Sequence, residues 1–113
     1  MVTGDAVPVY DLQDVRAAAR ELSIEYRGRK VMRDVSNLGY ELKDVAACLC
    51  ALTEGDFVKT HNREGNQLDD DEYICRCKRP NAEDDEEDEL YIKFCLSGGC
   101  LVIDLGSFHL PQF

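Results

Sequence analysis

Tryptophan is absent from this 113-residue chain, and proline occurs only three times. No apolar run approaches the about 20 residues that a membrane-spanning helix needs. The first fifteen residues, MVTGDAVPVYDLQDV, are acidic and lack the basic, apolar, small-residue order of a signal peptide. These absences lead us to expect a cytoplasmic protein. No C-x-x-C pair occurs among the six cysteines, so the spacing does not spell a zinc knuckle. Cys48 and Cys50 lie two apart in a helical pattern and point to different faces. Cys75 and Cys77 share one face of an expected strand, while Cys95 and Cys100 flank a turn. A zinc regulator built on Cys75, Cys77, Cys95 and Cys100 is one reading; cysteine as a small core hydrophobe is the favoured one, with no metal and no cofactor.

Basic residues are also scarce. Thirteen lysines and arginines face 23 carboxylates, a net charge of −10, the opposite of what a nucleic-acid surface calls for. The acidity is unevenly placed. Two runs, residues 69–72 (DDDE) and 83–89 (EDDEEDE), hold eleven of the acids, and the remainder of the chain is close to neutral. Both runs read as loops.

With 44% hydrophobic residues the chain is long enough for one domain, residues 1–113, with its own core. Residues 9–22 carry Val15, Ala18, Ala19 and Leu22 at helical spacing, with Tyr10, Asp11 and Asp14 available to the first turn. Residues 23–26 alternate as a short strand, and Arg27-Gly28-Arg29 breaks it. Residues 30–37 read as a short helix with Val31, Val35 and Leu38 inward, stopped by Gly39. Residues 41–52 form the clearest helix, with Leu42, Val45, Ala46, Leu49 and Leu52 on one stripe. After a turn at 53–56, residues 57–60 read as a strand and 61–71 as a polar loop. Strands follow at 73–78, 90–96 and 100–105, the last two joined by Ser97-Gly98-Gly99, with a bulge at Gly106. Helices first and antiparallel strands afterwards give an α+β domain with its helices on one face of the sheet.

Several of these residues have the chemistry to cut RNA without a metal. A base removes the 2′-hydroxyl proton, cations stabilise the phosphorane, and an acid protonates the leaving 5′-oxygen. The candidates are Lys59, His61, Arg76, Arg79, Tyr91, Lys93 and His109. Tyr91 and Lys93, two apart on one strand, share a face. An unpaired lysine is costly to bury, so that face points outward. Each candidate also has an ordinary reading: exposed strand lysines, arginines neutralised by the acidic run, a structural histidine in the apolar C-terminal segment.

The segment LGYELKDVAACLCALTEGDFVKT, the later pieces Y-x-x-x-x-R-P and LYIKF, and the terminal SFH resemble the MqsR family of toxin–antitoxin toxins, over roughly residues 38–109. The resemblance implies a RelE-like microbial ribonuclease fold, with N-terminal helices packed on one face of a curved antiparallel sheet. It implies an endoribonuclease, an mRNA interferase that cleaves single-stranded mRNA and leaves 2′,3′-cyclic phosphate and 5′-hydroxyl ends. It further implies a cognate antitoxin protein as partner, with DNA contacted only through that antitoxin and no membrane involved. The motif lysine falls on Lys59 and the strand tyrosine on Tyr91. A glutamine of some members aligns with Cys75 and is missing, and a C-terminal lysine aligns best with His109. In this reading Lys59 holds the scissile phosphate, and Tyr91 takes or orients the 2′-hydroxyl proton or stacks a base. His109 is the acid, while Lys93, Arg76, Arg79 and His61 bind the substrate. The rival reading is a catalytically inactive interaction module whose acidic loops bind a basic partner.

Overall fold

The computed structural model describes residues 7–80, 83 and 86–111, and it is an α+β domain of three helices and one five-stranded sheet. Helix α1 spans Leu12–Arg20. Asp11 caps it, its carboxylate accepting from the Gln13 amide, and Leu12, Val15, Ala18 and Ala19 form the buried stripe. Helix α2 spans Arg29–Leu38 and buries Val31 and Val35. Gly39 ends it at φ 83°, a left-handed conformation that glycine adopts without a Cβ penalty. Helix α3, Leu42–Cys50, opens with a reciprocal cap in which Glu41 and Asp44 each take the other's backbone amide. Its buried residues are Val45, Ala46, Cys48 and Leu49, while Leu42, expected inward, is exposed because it lies in the uncovered first turn.

The strands are β1 (Ile24–Tyr26), β2 (Phe57–His61), β3 (Asp70–Lys78), β4 (Glu87–Ser97) and β5 (Val102–His109), in the spatial order β1-β5-β4-β3-β2. Four of them pair antiparallel, but β1 joins β5 in parallel, Ile24 opposite Ile103 and Tyr26 opposite Leu105. The sheet is therefore mixed, not wholly antiparallel as the order of elements suggested. The reason is the position of α2. A strand entering from α1 lies along β5 in the direction that lets the chain turn at Gly28 and lay α2 back against that strand.

One face of the sheet carries the core. Tyr73, Leu90, Ile92, Phe94, Leu105 and Phe108 point under the helices and are fully buried. Phe94 stacks on Tyr73, and Phe108 meets Tyr40 edge-on. Burying each such side chain contributes about 1.5–3 kcal/mol, which fixes the register, since a one-residue slip would turn all of them to water. Among the described residues no helix covers the opposite face. The register skips one residue on β5, Phe94 pairing with Leu105 but Lys93 with Ser107, so Gly106 is the bulged residue. No helix among the described residues is long and apolar enough to cross a membrane.

Of the acidic run at 69–72 only Asp69 lies in the loop. Asp70 begins β3, and Asp70 and Asp71 are buried. Asp71 faces the helix side, where it accepts from the amides of Val9 and Tyr10 and from the Thr60 hydroxyl. Asp70 faces the open side, where the Arg27 guanidinium grips it with two bonds of 2.8 Å. Of the second run, residues 84 and 85 lie outside the described residues, β4 begins at Glu87, and Asp88 is buried. Hydrophobicity alone could not show this, because each of these aspartates is satisfied by a partner distant in sequence.

Candidate functional site

Residues opposite one another in an antiparallel ladder share a face, so the register maps the open side of the sheet. One row runs Lys59, Glu72, Lys93, Ser107 across β2, β3, β4 and β5. At about 4.8 Å between strands, it spans about 14 Å. The row on one side of it holds Ile74, Tyr91 and His109; on the other side Asp70 stands opposite His61. His61, Glu72, Tyr91, Ile92, Lys93, Ser107 and His109 enclose a cavity of about 190 Å³. Lys59 stands at its rim, exposed beside Glu72.

The side chains around this cavity are held in distinct ways. His61 Nε2 lies 2.5 Å from Glu72 Oε1, with both side chains partly exposed, at 33% and 18%. The His109 ring meets Tyr91 edge-on, with centroids 5.8 Å apart, and its Nδ1 lies 2.7 Å from the Leu110 carbonyl oxygen. That carbonyl can only accept, so Nδ1 carries the proton and Nε2 is left for chemistry. Among the described residues no carboxylate pairs with Lys59 or Lys93, although Glu72 lies between them. One ammonium group, two imidazoles and a phenol thus converge on one depression, with a second ammonium group, Lys59, in the adjoining row position, a set suited to holding a phosphate diester and moving protons near it.

Five of the seven candidate residues come together here: Lys59, His61, Tyr91, Lys93 and His109. Arg76 also points to the open face, but four residues along β3 from Glu72, about 13 Å away. Arg79 belongs elsewhere. Its guanidinium donates to Asp88 and Glu86, and Asp88 also accepts from the Tyr40 hydroxyl. It closes the end of the sheet and is not available to this cavity. Glu72 is the site residue that the sequence reading missed. It lay hidden in an acidic run read as solvated loop, and only the alternation of β3 carried back to Asp70 would have placed it on the face of Lys93.

The cysteines are divided between the two faces. Cys75 and Cys77 are under the helices, with their sulfurs 3.5 Å apart, and Cys95 is buried on the open side against Arg27. Cys100 sits exposed in the turn before β5. The proposed zinc set of Cys75, Cys77, Cys95 and Cys100 is therefore split by the sheet, and no group of three or more ligand side chains among the described residues is placed to hold a metal. Contact with Cys77 and burial push the Cys75 thiol up, and contact with Cys48 together with burial pushes Cys77 up to about 12. Both are core thiols, protonated and unreactive.

The acidic-loop reading also loses material. Asp70, Asp71 and Asp88 are buried and engaged, and Glu72 is bonded to His61. No protein-family model matches the chain, and no curated protein sequence matches it significantly.

Proposed function

We propose that this protein is a metal-independent endoribonuclease of RelE-like fold that cuts single-stranded mRNA, acting as the toxin of a toxin–antitoxin pair. One observation carries the reading: on a chain of net charge −10, Lys93 lines a cavity with His61, Tyr91 and His109, Lys59 stands opposite Glu72 at its rim, and neither lysine has a carboxylate partner among the described residues. Glu72, the one carboxylate lining it among the described residues, is bonded to His61, which leaves the two ammonium groups to meet an anion.

The chemistry follows from the groups present. Lys59 and Lys93 hold the scissile phosphate and stabilise the charge that grows on its oxygens. A base takes the 2′-hydroxyl proton, and the 2′-oxygen attacks phosphorus. His109, with Nδ1–H anchored to the Leu110 carbonyl, acts in its imidazolium form, whose Nε2–H protonates the departing 5′-oxygen. Tyr91, edge-on to His109, offers its ring face to an unstacked base, the common way proteins grip single-stranded RNA. Arg76 lies on the path an adjoining phosphate would take along β3. The products carry 2′,3′-cyclic phosphate and 5′-hydroxyl ends.

The deciding experiment incubates purified protein with a long mRNA in EDTA, free and in a translating ribosome extract, beside a Lys59→Ala, Tyr91→Ala variant. Discrete fragments with 5′-hydroxyl ends from the wild type alone are expected. Intact RNA with folded wild-type protein in both settings overturns the reading.

A further inference from the structure

Glu72 and His61 make the one close carboxylate–imidazole contact among the described residues, and it opens on the cavity that Lys93, Tyr91 and His109 also line. Their placement is built into the register. His61 is the last residue of β2 and stands opposite Asp70; Glu72, two residues along β3 on the same face, reaches back diagonally to its ring. Asp70 is itself fixed on the same open face by Arg27, whose guanidinium lies where any Cβ on Gly106 would come within 2.5 Å of Nη1. The turn after β2 is tied to the same carboxylates, since Arg63 donates its amide to Asp69 and lies 3.5 Å from Asp70. Glu72 is the one hydrogen-bond partner of the imidazole among the described residues, and its bond to Nε2 leaves Nδ1 without one.

We propose that His61 is the general base of this ribonuclease and that Glu72 is its positioning residue. The proposal rests on the ribonuclease reading and assigns within it the step that the sequence left open among Tyr91, His109 and His61. With Nε2–H donated to Glu72, Nδ1 is the lone-pair nitrogen. Nδ1 takes the proton of the 2′-hydroxyl, the 2′-oxygen forms its bond to phosphorus, and the bond from phosphorus to the 5′-oxygen breaks. His109 enters this step as the imidazolium, keeping Nδ1–H on the Leu110 carbonyl, and its Nε2–H proton passes to the 5′-oxygen. One imidazole has gained a proton and the other has lost one, and hydrolysis of the cyclic phosphate or exchange with water resets both. Glu72 stabilises the imidazolium that forms on His61. Tyr91 is left to bind a base.

The geometry also explains why Glu72 does not simply neutralise Lys59 and Lys93, its two neighbours in the row. Its carboxylate is turned to His61, so the ammonium groups stay available to phosphate while the negative charge serves the base.

Two substitutions separate this role from a structural one. His61→Gln keeps a side-chain donor toward Glu72 but cannot accept a proton. On the mRNA cleaved by the wild type, it is expected to lower kcat by about 10²-fold or more with KM unchanged, in keeping with loss of a general base. Glu72→Gln is expected to lower kcat about tenfold while also lowering KM, because a negative charge between two phosphate-binding lysines has gone. Circular dichroism and urea midpoints confirm folding of each variant. Full kcat in His61→Gln overturns the assignment, and so does a Glu72→Gln enzyme that is faster than the wild type, which would make Glu72 only a source of repulsion. If wild-type protein cuts no RNA in either setting, the ribonuclease reading falls first; if it cuts and these variants cut equally well, only the dyad does.

Discussion

The charges of this molecule behave differently on the two sides of Asp70. On one side, toward Arg27, Arg63 and Asp104, and beneath the sheet at Asp71 and Asp88, each buried carboxylate has its partners. On the other side, two strand positions away, Lys59 and Lys93 have none among the described residues. Asp69, Asp70, Asp71, Glu86 and Asp88 of the acidic runs are thus tied up in holding strand ends together, and the cations that matter for a ligand are the ones left out. Net charge is a statement about the whole surface, and a site is a local exception to it.

The most damaging way to break this contrast is to remove the free cations. A Lys59→Ala, Lys93→Ala variant is expected to lose about 10²–10³-fold in kcat/KM on mRNA, the scale of losing preorganised stabilisation of a developing oxyanion. Its urea midpoint should stay within error of the wild type, because neither ammonium group has an ion-pair partner among the described residues. Cleavage by the wild type should weaken steeply with salt, as phosphate binding does. A variant that loses stability along with activity would show that the lysines are structural after all.

Removing a charge from the paired side should do the reverse. Arg27→Met leaves the Asp70 carboxylate, only 2% exposed, without its fork. Breaking a buried pair from one end is expected to cost about 3 kcal/mol of folding stability, read from the urea midpoint at constant slope. The same substitution frees space against Gly106 but creates no phosphate contact, so any loss of cleavage should trace to the displaced His61. A change below about 0.5 kcal/mol would mean that Arg63 alone suffices for Asp70.

Much of the fold was legible from periodicity. The three helices, the short strand β1, the Ser97-Gly98-Gly99 hairpin and the Gly106 bulge all follow from residue spacing and from glycine at turns. What was not legible depended on partners far away in sequence. Asp70 and Asp71 look like loop residues until Arg27 and the amides of Val9 and Tyr10 are brought to them, 43 to 62 residues distant. For the same reason β3 begins three residues earlier than the alternation from Tyr73 implied, and Glu72 with it enters the site. The parallel pairing of β1 was hidden as well, since three residues carry no signal of direction. At the site, the spacing of Tyr91 and Lys93 put them on the open face, whereas the approach of His61 to Glu72 needed the register of β2 against β3.

The smallest effect sharpens the contrast from inside the core. Two buried tyrosines differ in one respect. The Tyr10 hydroxyl donates to the Asp69 carbonyl at 2.6 Å, whereas the Tyr73 hydroxyl has no hydrogen-bond partner among the described residues, although its ring is fully buried between Phe57 and Phe94. Burial, followed by the nearby Cys95 and Asp71, pushes Tyr10 up to about 12, and burial raises Tyr73 also. A satisfied hydroxyl contributes about 1 kcal/mol net, and an orphaned one costs about as much to bury. Tyr10→Phe should therefore destabilise by about 1 kcal/mol, and Tyr73→Phe, which keeps both ring contacts, should be neutral or stabilise by up to about 1 kcal/mol. Paired urea titrations of the two variants test this directly. If Tyr73→Phe proved the more destabilising of the two, its hydroxyl must have a partner in solution, and the floor of the sheet beneath the site would be wetter than the packing of Phe57, Tyr73 and Phe94 implies.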